Sequence, residues 1–338
     1  MHHCTCTDHT KRLNRRQAQD AALSDLSQRD GLWDDHRARA ADVQAIYSEL
    51  SEFERLAERI GACSGVLRFG QIPDPETGEM RLRLREAQFC RVRHCPVCQW
   101  RRSLMWQARF FQALPDLVET HREARWLFLT LTVRNCPVEA LRPVLRDMNT
   151  AWGRLVKRPE FRQVQGWIRT TEVTRGRDGS AHPHFHALLM VPPSYFQGKY
   201  YVKQARWVEL WRDTARLNYA PSVDVRTVKA RPGEADGDVS QALRRAAAET
   251  LKYAVKPSDM TADPAWFLEL TRQVHKLRFI ATGGLLKDVL KEGQESDADL
   301  ALTDGDGQDD GSRVGFNWRP SDRRYRRYRQ ADAEPVTD

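Results

Sequence analysis

Apolar residues recur at three- and four-residue spacings through Val43, Ile46, Tyr47, Leu50, Phe53, Leu56 and Ile60, which predicts a surface helix lying on another element. After Gly61 the period changes. "GVLRFGQ" and "MRLRLREAQF" flank the turn-rich "IPDPETGE", a hairpin pattern. From Gln99 to Leu114 a helical period rich in Arg and Trp returns, and "ARWLFLTLTVRN" then reads as an apolar strand at the centre of a sheet. A helix through Met148, Trp152 and Leu155 leads to two strands in "GWIRTTEVTRGRDGSAHPHFHALLMV", joined by the turn Arg177-Asp178-Gly179. Beyond Val191, "YYVKQARWVELWRDTARL" starts extended and becomes helical, and "SVDVRTV" is a strand. "DVSQALRRAAAETLKYAVK" is a helix opening at Ser240 and stopping before Pro257. The expected class is α+β, a central antiparallel sheet with flanking helices.

A chain of 338 residues, 41% hydrophobic and 30% charged, can bury one large core or two moderate ones. No run approaches the ~18 apolar residues of a membrane span, and "MHHCTCTDHTKRLNRR" lacks the apolar core of a signal peptide. The expectation is a cytoplasmic protein with no membrane partner. Residues 1–60 read as a helical extension, 61–124 as a cysteine-bearing hairpin and basic helix, and 125–292 as the main domain. Residues 293–338 read as an acidic linker with an Arg/Tyr-rich tail, expected to be disordered. The net charge of +8 understates the basic character, because Glu292 to Asp310 holds eight acids and no Lys or Arg. With ten Trp and eight Tyr available for stacking, nucleic acid is the first partner to consider.

Candidate chemistry concentrates in three places. In "AHPHFHALLMV", side chains of His182, His184 and His186 share one face of a strand. If the three-residue loop 177–179 joins the two strands, Glu172 stands opposite His184, and two histidines with one carboxylate can hold an ion with open coordination positions. A slip of one residue turns Glu172 away. His182 faces the same side but is not counted as a ligand. Glu249, Tyr253 and Lys256, at spacings of four and three, fall on one face of the predicted helix. Cys90-x4-Cys95-x2-Cys98 supplies three thiolates for a tetrahedral Zn²⁺; Cys63 is the fourth ligand chosen, with His94 and the Cys4/Cys6 pair as alternatives. Arg101, Arg102, Trp106 and Arg109 on the next helix present either a DNA-binding face or ordinary surface.

"FLTLT", "HPHFHALLMV" and "KYAVK" resemble, in order, the three motifs of the HUH endonucleases. More narrowly, "CRVRHCPVCQWRRS", "YFQGKYYV" and "ETLKYAVK" resemble the rolling-circle replication initiator (Rep) proteins of small bacterial plasmids, over roughly Cys63 to Lys256. The resemblance implies an HUH nuclease fold in 125–292, with a zinc module on its N-terminal side. It implies a site-specific nickase of single-stranded origin DNA that leaves a 5′-phosphotyrosine on Tyr253 and a free 3′-hydroxyl, working with a host helicase and DNA polymerase. His184, His186 and Glu172 would hold Mg²⁺ or Mn²⁺, Lys256 would lower the Tyr253 pKa and orient the phosphate, and Glu249 would be general base for a water at termination. A cysteine also precedes the hairpin in that family, which supports Cys63. Competing readings are an HUH transposase or relaxase, and a zinc-dependent DNA-binding regulator without nuclease activity. Relaxases usually carry the nucleophile before the histidines, whereas Tyr253 follows them.

Overall fold

The computed structural model describes residues 20–74, 77–229, 239–252, 255–291, 295–301 and 313–328. Its strands are β1 (Val66–Pro73), β2 (Met80–Ala87), β3 (Arg125–Thr132), β4 (Gly166–Arg175), β5 (Ala181–Val191), β6 (Val223–Thr227), β7 (Ile280–Gly284), β8 (Val314–Arg319) and β9 (Arg324–Tyr328). The architecture is α+β, with antiparallel sheets and flanking helices. Two units divide the chain. One comprises residues 1–101 and 295–338, the other residues 102–294.

The first unit carries a sheet of order β2-β1-β8-β9. β1 and β2 form the hairpin that the flanking of "IPDPETGE" predicts. The long helical period before it is broken: Leu32–Ser48 and Glu54–Ala62 are separate helices, and Leu50 between them is extended. The apolar stripe continues across the break because the two helices pack on each other, Arg37 donating to the Gly61 carbonyl at 2.8 Å and the Tyr47 and Phe53 rings lying 5.3 Å apart.

The expectation of a disordered tail is corrected here. Val314–Arg319 pairs with β1, Leu67 opposite Phe316, and turns through Pro320–Arg323 into β9. Alternation explains it: Val314, Phe316 and Tyr325 are buried between exposed or half-buried neighbours, and the Tyr325 hydroxyl donates to the Ser64 carbonyl at 2.7 Å. The Arg/Tyr-rich composition hides this period-two signal. Residues 302–312 and 329–338 lie outside the described residues.

The second unit is built on a sheet of order β6-β3-β5-β4-β7, every neighbouring pair antiparallel. β5 is central and β3, expected there, is its neighbour. One face is covered by an apolar cluster that includes Phe110, Trp126, Ile168, Leu188, Met190, Leu243, Ala247 and Leu251. On the other face Phe185 meets Trp152 and Trp211 at 6.2 and 6.0 Å between ring centroids. Helix Val239–Thr250 ends earlier than its period suggests. Thr170 Oγ1 donates to the Thr250 carbonyl at 2.6 Å and Ser103 Oγ to the Leu251 carbonyl at 2.7 Å, so the strand and a neighbouring helix take carbonyls that a longer helix would have used. Lys256 is extended before Pro257, as a residue preceding proline prefers. Glu249 and Lys256 therefore do not share a helix face.

Candidate metal centres

The site begins at a turn. Gly176 N–H donates to the Ser180 carbonyl at 2.7 Å, Asp178 Oδ1 accepts from Ser180 N and Oγ, and Gly179 takes φ +81°, a conformation glycine adopts without strain. This three-residue loop sets the register of β4 on β5, with Glu172 opposite His184 and Thr170 opposite His186. On the other side, β3 places Thr132 opposite His184 and Thr130 opposite His186. One face thus presents two rows of polar residues at the end of an otherwise apolar surface.

Glu172, His184 and His186 are buried, and their ligand atoms lie within 4.8 Å of one another. Glu172 Oε2 is 3.2 Å from His184 Nε2 and 3.0 Å from His186 Nε2. His184 Nδ1 lies 3.2 Å from the His182 carbonyl oxygen, which can only accept, so Nδ1 carries the proton. In the neutral ring the Nε2 lone pair then points at a carboxylate oxygen, and lone pairs converge where a cation fits. His186 Nδ1 meets Thr130 Oγ1 at 3.2 Å, a contact that holds the orientation of its ring. Neighbouring ligands on a six-coordinate ion at about 2.1 Å stand about 3 Å apart, matching the oxygen to nitrogen distances here. His182 is drawn off the cluster by Asn135, Nδ1 to Oδ1 2.6 Å.

Lys252 is the residue that the sequence pattern did not single out. Its Nζ is 3.0 Å from Glu172 Oε2 and 2.6 Å from Glu249 Oε1, bridging the buried cluster to a carboxylate at the surface. Burial alone raises the Glu172 carboxyl, but Lys252 together with His184 and His186, in the form of those rings that carries a proton on Nε2, outweighs it and holds the group well below the usual carboxylate range. Burial likewise opposes the Lys252 ammonium, and the two carboxylates overcome it and push its pKa up. Lys256 is exposed, and Tyr253 lies outside the described residues. The sequence carries one local signal for Lys252, its three-residue spacing from Glu249.

In the first unit, Cys63, Cys90, Cys95 and Cys98 form a second group, again within 4.8 Å. Sγ of Cys63 is 3.6 Å from that of Cys98 and 3.7 Å from that of Cys95, and Cys90 Sγ is 3.5 Å from Cys98 Sγ. Four sulfurs at ~2.3 Å from a tetrahedral Zn²⁺ lie about 3.8 Å apart, so the set fits zinc. Backbone N–H groups of Cys90, Arg91 and Val92 point at Cys63, Cys98 and Cys90 sulfurs, as donors around thiolates do. Burial pushes the Cys95 thiol well up, and its sulfur neighbours add to the effect. His94 is not in the group, and Cys4 and Cys6 lie outside the described residues.

The basic residues beyond this knuckle turn inward. Arg101 is buried and donates to the Leu300 and Ala301 carbonyls at 2.7 and 2.9 Å; Arg109 donates to the Leu290 carbonyl at 2.9 Å, and Trp106 packs on the apolar cluster. Both readings, a DNA-binding face and ordinary surface, lose these three residues.

The profile of the replication protein family matches residues 81–326. A "Protein rep" of Streptococcus pneumoniae serotype 2 (strain D39 / NCTC 7466) is 31% identical, over 91% of this chain and 96% of its own length. The chain belongs to the replication protein (Rep) family. A "Protein rep" of Bacillus amyloliquefaciens is 36% identical over 78% of this chain and 82% of that protein, and a "Replication protein" of Staphylococcus aureus is 32% identical over 63% and 95%. Membership bears out the resemblance to plasmid rolling-circle initiators that the ordered motifs carry. No solved structure matches. Among the described residues, no helix of this Rep protein is long and apolar enough to cross a membrane.

Proposed function

We propose that this plasmid replication initiator nicks and rejoins single-stranded DNA at its origin through a covalent link to Tyr253, using an HUH nuclease site in residues 125–292. The observation that carries this reading is the buried Glu172-His184-His186 cluster beside Lys252, the residue that precedes Tyr253 in the chain. Mg²⁺ or Mn²⁺ held by those three residues would stabilise charge on the oxygens of the scissile phosphate. The protein's own groups do the rest. Thr130 and the His182 carbonyl fix the imidazole orientation. The Tyr253 oxygen, having lost its proton, bonds to phosphorus as the bond to the 3′ oxygen breaks; that oxygen takes up a proton and becomes the free 3′-hydroxyl a host polymerase extends. Lys252, and Lys256 further along the chain, favour the phenolate and the phosphate by their positive charge. Glu249, exposed and paired with Lys252, serves as general base for a water when the displaced strand is released. The cysteine group holds a structural Zn²⁺.

The test uses labelled origin oligonucleotides from the protein's own replicon, with and without Mn²⁺ or Mg²⁺. Wild type forms a covalent adduct; Tyr253→Phe forms none while binding nearly as well, because it loses one oxygen and no charge. Glu249→Gln keeps the first nick and impairs termination, so that replication runs past one unit length. Binding without any metal-dependent cleavage would return the chain to the reading of a zinc-dependent DNA-binding regulator.

A further inference from the structure

Between β5 and the Gln204–Ala215 helix, the segment Pro192–Lys203 holds aromatic rings in solvent rather than in the core. Phe196, Tyr200 and Tyr201 are 37%, 42% and 49% exposed, while Tyr195 beneath them is buried. The Tyr195 hydroxyl accepts from Trp207 Nε1 at 3.3 Å and donates to the Val202 carbonyl at 3.4 Å, so its ring is pinned at the far edge. On that base Phe196 and Tyr201 stand at 5.1 and 6.0 Å, each edge to face with Tyr195, and 6.3 Å from one another at an interplanar angle of 32°. Lys199 Nζ lies 5.4 Å from the Tyr200 ring centroid. The rings are held in place before anything binds them.

Charge decides the partner. Residues 179–208 contain no Asp or Glu, whereas Lys199 and Lys203 are exposed among the rings. Exposed aromatic faces interleaved with cations suit a polyanion whose units carry flat, apolar faces, and single-stranded DNA is one; in a duplex those faces are stacked on each other and out of reach. The segment follows Val191, five residues along β5 from His186, or roughly 17 Å of strand.

We propose that Phe196, Tyr200 and Tyr201 are a stacking platform for bases of single-stranded DNA, with Lys199 and Lys203 meeting its phosphates. This rests on the reading of the chain as acting on single strands, and gives the strand an anchor remote from the bond that is cut. The anchor contributes affinity and takes no part in the chemistry.

Full-length protein is titrated, by fluorescence anisotropy, into a labelled oligothymidylate of about 16 nucleotides, the same length of abasic sugar-phosphate, and a duplex. The oligothymidylate lacks the origin sequence, so the readout is binding alone. Phe196→Ala and Tyr201→Ala each weaken binding roughly 5- to 100-fold, Tyr201→Phe does not, and none changes the far-UV circular dichroism. Wild type loses a comparable factor on the abasic strand, where the alanine variants lose little more. Lys199→Ala lowers the slope of log affinity against log salt by about 0.7, and Tyr201→Ala leaves it unchanged. Alanine variants that bind oligothymidylate as wild type does would overturn the platform and leave the patch to a protein partner; so would a wild type that prefers the duplex. A protein that fails to nick its origin yet shows the expected losses keeps the platform and forfeits the nicking reading.

Discussion

Thr170 and Thr250 are joined by a 2.6 Å hydrogen bond, the Thr170 hydroxyl donating to the Thr250 carbonyl. Thr170 stands opposite His186 in the strand pair, so this bond ties the end of helix Val239–Thr250 to the row that carries a metal-site histidine. Lys252 follows two residues later. Thr170→Val keeps the shape and removes the hydroxyl donor to a buried carbonyl, with an expected loss of about 1–3 kcal/mol in denaturant unfolding. Nicking falls by roughly 10- to 100-fold beyond what unfolding explains, because the residues after Thr250 are no longer held in place. Thr170→Ser restores both, and a Thr170→Val enzyme with full activity would separate the helix end from the site.

Thr130 acts on the metal site through His186. Its hydroxyl sits 3.2 Å from Nδ1 and fixes the ring without entering the group of ligand atoms. Thr130→Val is expected to weaken Mn²⁺ binding roughly 10- to 100-fold, read by calorimetry on purified protein, while His186→Ala removes measurable binding. Equal affinity in Thr130→Val would show that packing alone orients the imidazole.

The cysteine group should hold one zinc per chain after exhaustive dialysis, measured by elemental analysis. Cys95→Ser is expected to lose the metal and to unfold at lower denaturant concentration, because binding of a structural zinc is coupled to folding. Well-folded wild type without zinc would remove the metal from the account.

Acid should loosen the first unit through His36. This ring is stacked on Trp100, 4.4 Å between centroids at 9°, and burial, helped by Arg39 and Arg101, lowers its pKa to about 4. Unfolded, it titrates near 6.5, so between the two values the unfolded chain binds a proton that the folded chain refuses. Its contribution is complete above pH ~6.5 and is lost as pH falls toward 4, by about 3 kcal/mol in total. His36→Phe keeps a flat ring on Trp100 and should flatten the fall in melting temperature between pH 7 and 4. An unchanged profile would assign the acid sensitivity to other groups.

The strand pairing at the site was legible because two short-range signals agreed: Gly179 at the turn fixes the loop, and alternation then puts Glu172 across from His184. Cys63 was legible in the same way, from its place at the foot of the hairpin. Lys252 was not, since its partner Glu172 lies on a strand 80 residues earlier and no local pattern links them. The end of the helix at Thr250 depends on side chains of Thr170 and Ser103, also distant in sequence. β8 and β9 carried a period-two pattern that composition outweighed, and the basic face of the helix after Cys98 went unrecognised as internal because arginine reads as surface until its carbonyl partners are known.

β1 has β2 on one side and β8 on the other. On the ribosome those neighbours arrive far apart in time: β2 follows β1 at once, but β8 emerges only after the whole five-stranded unit has been made, roughly ten seconds or more later at ordinary rates of translation. Throughout that interval one edge of β1 is bare, and a bare edge invites foreign strands and proteases. A nascent chain that stops before β8 thus has every proposed metal ligand and a bare β1 edge, which β8 covers once it is made. The topology makes the first unit wait for the second: its sheet is assembled only when translation has passed through β8 and β9.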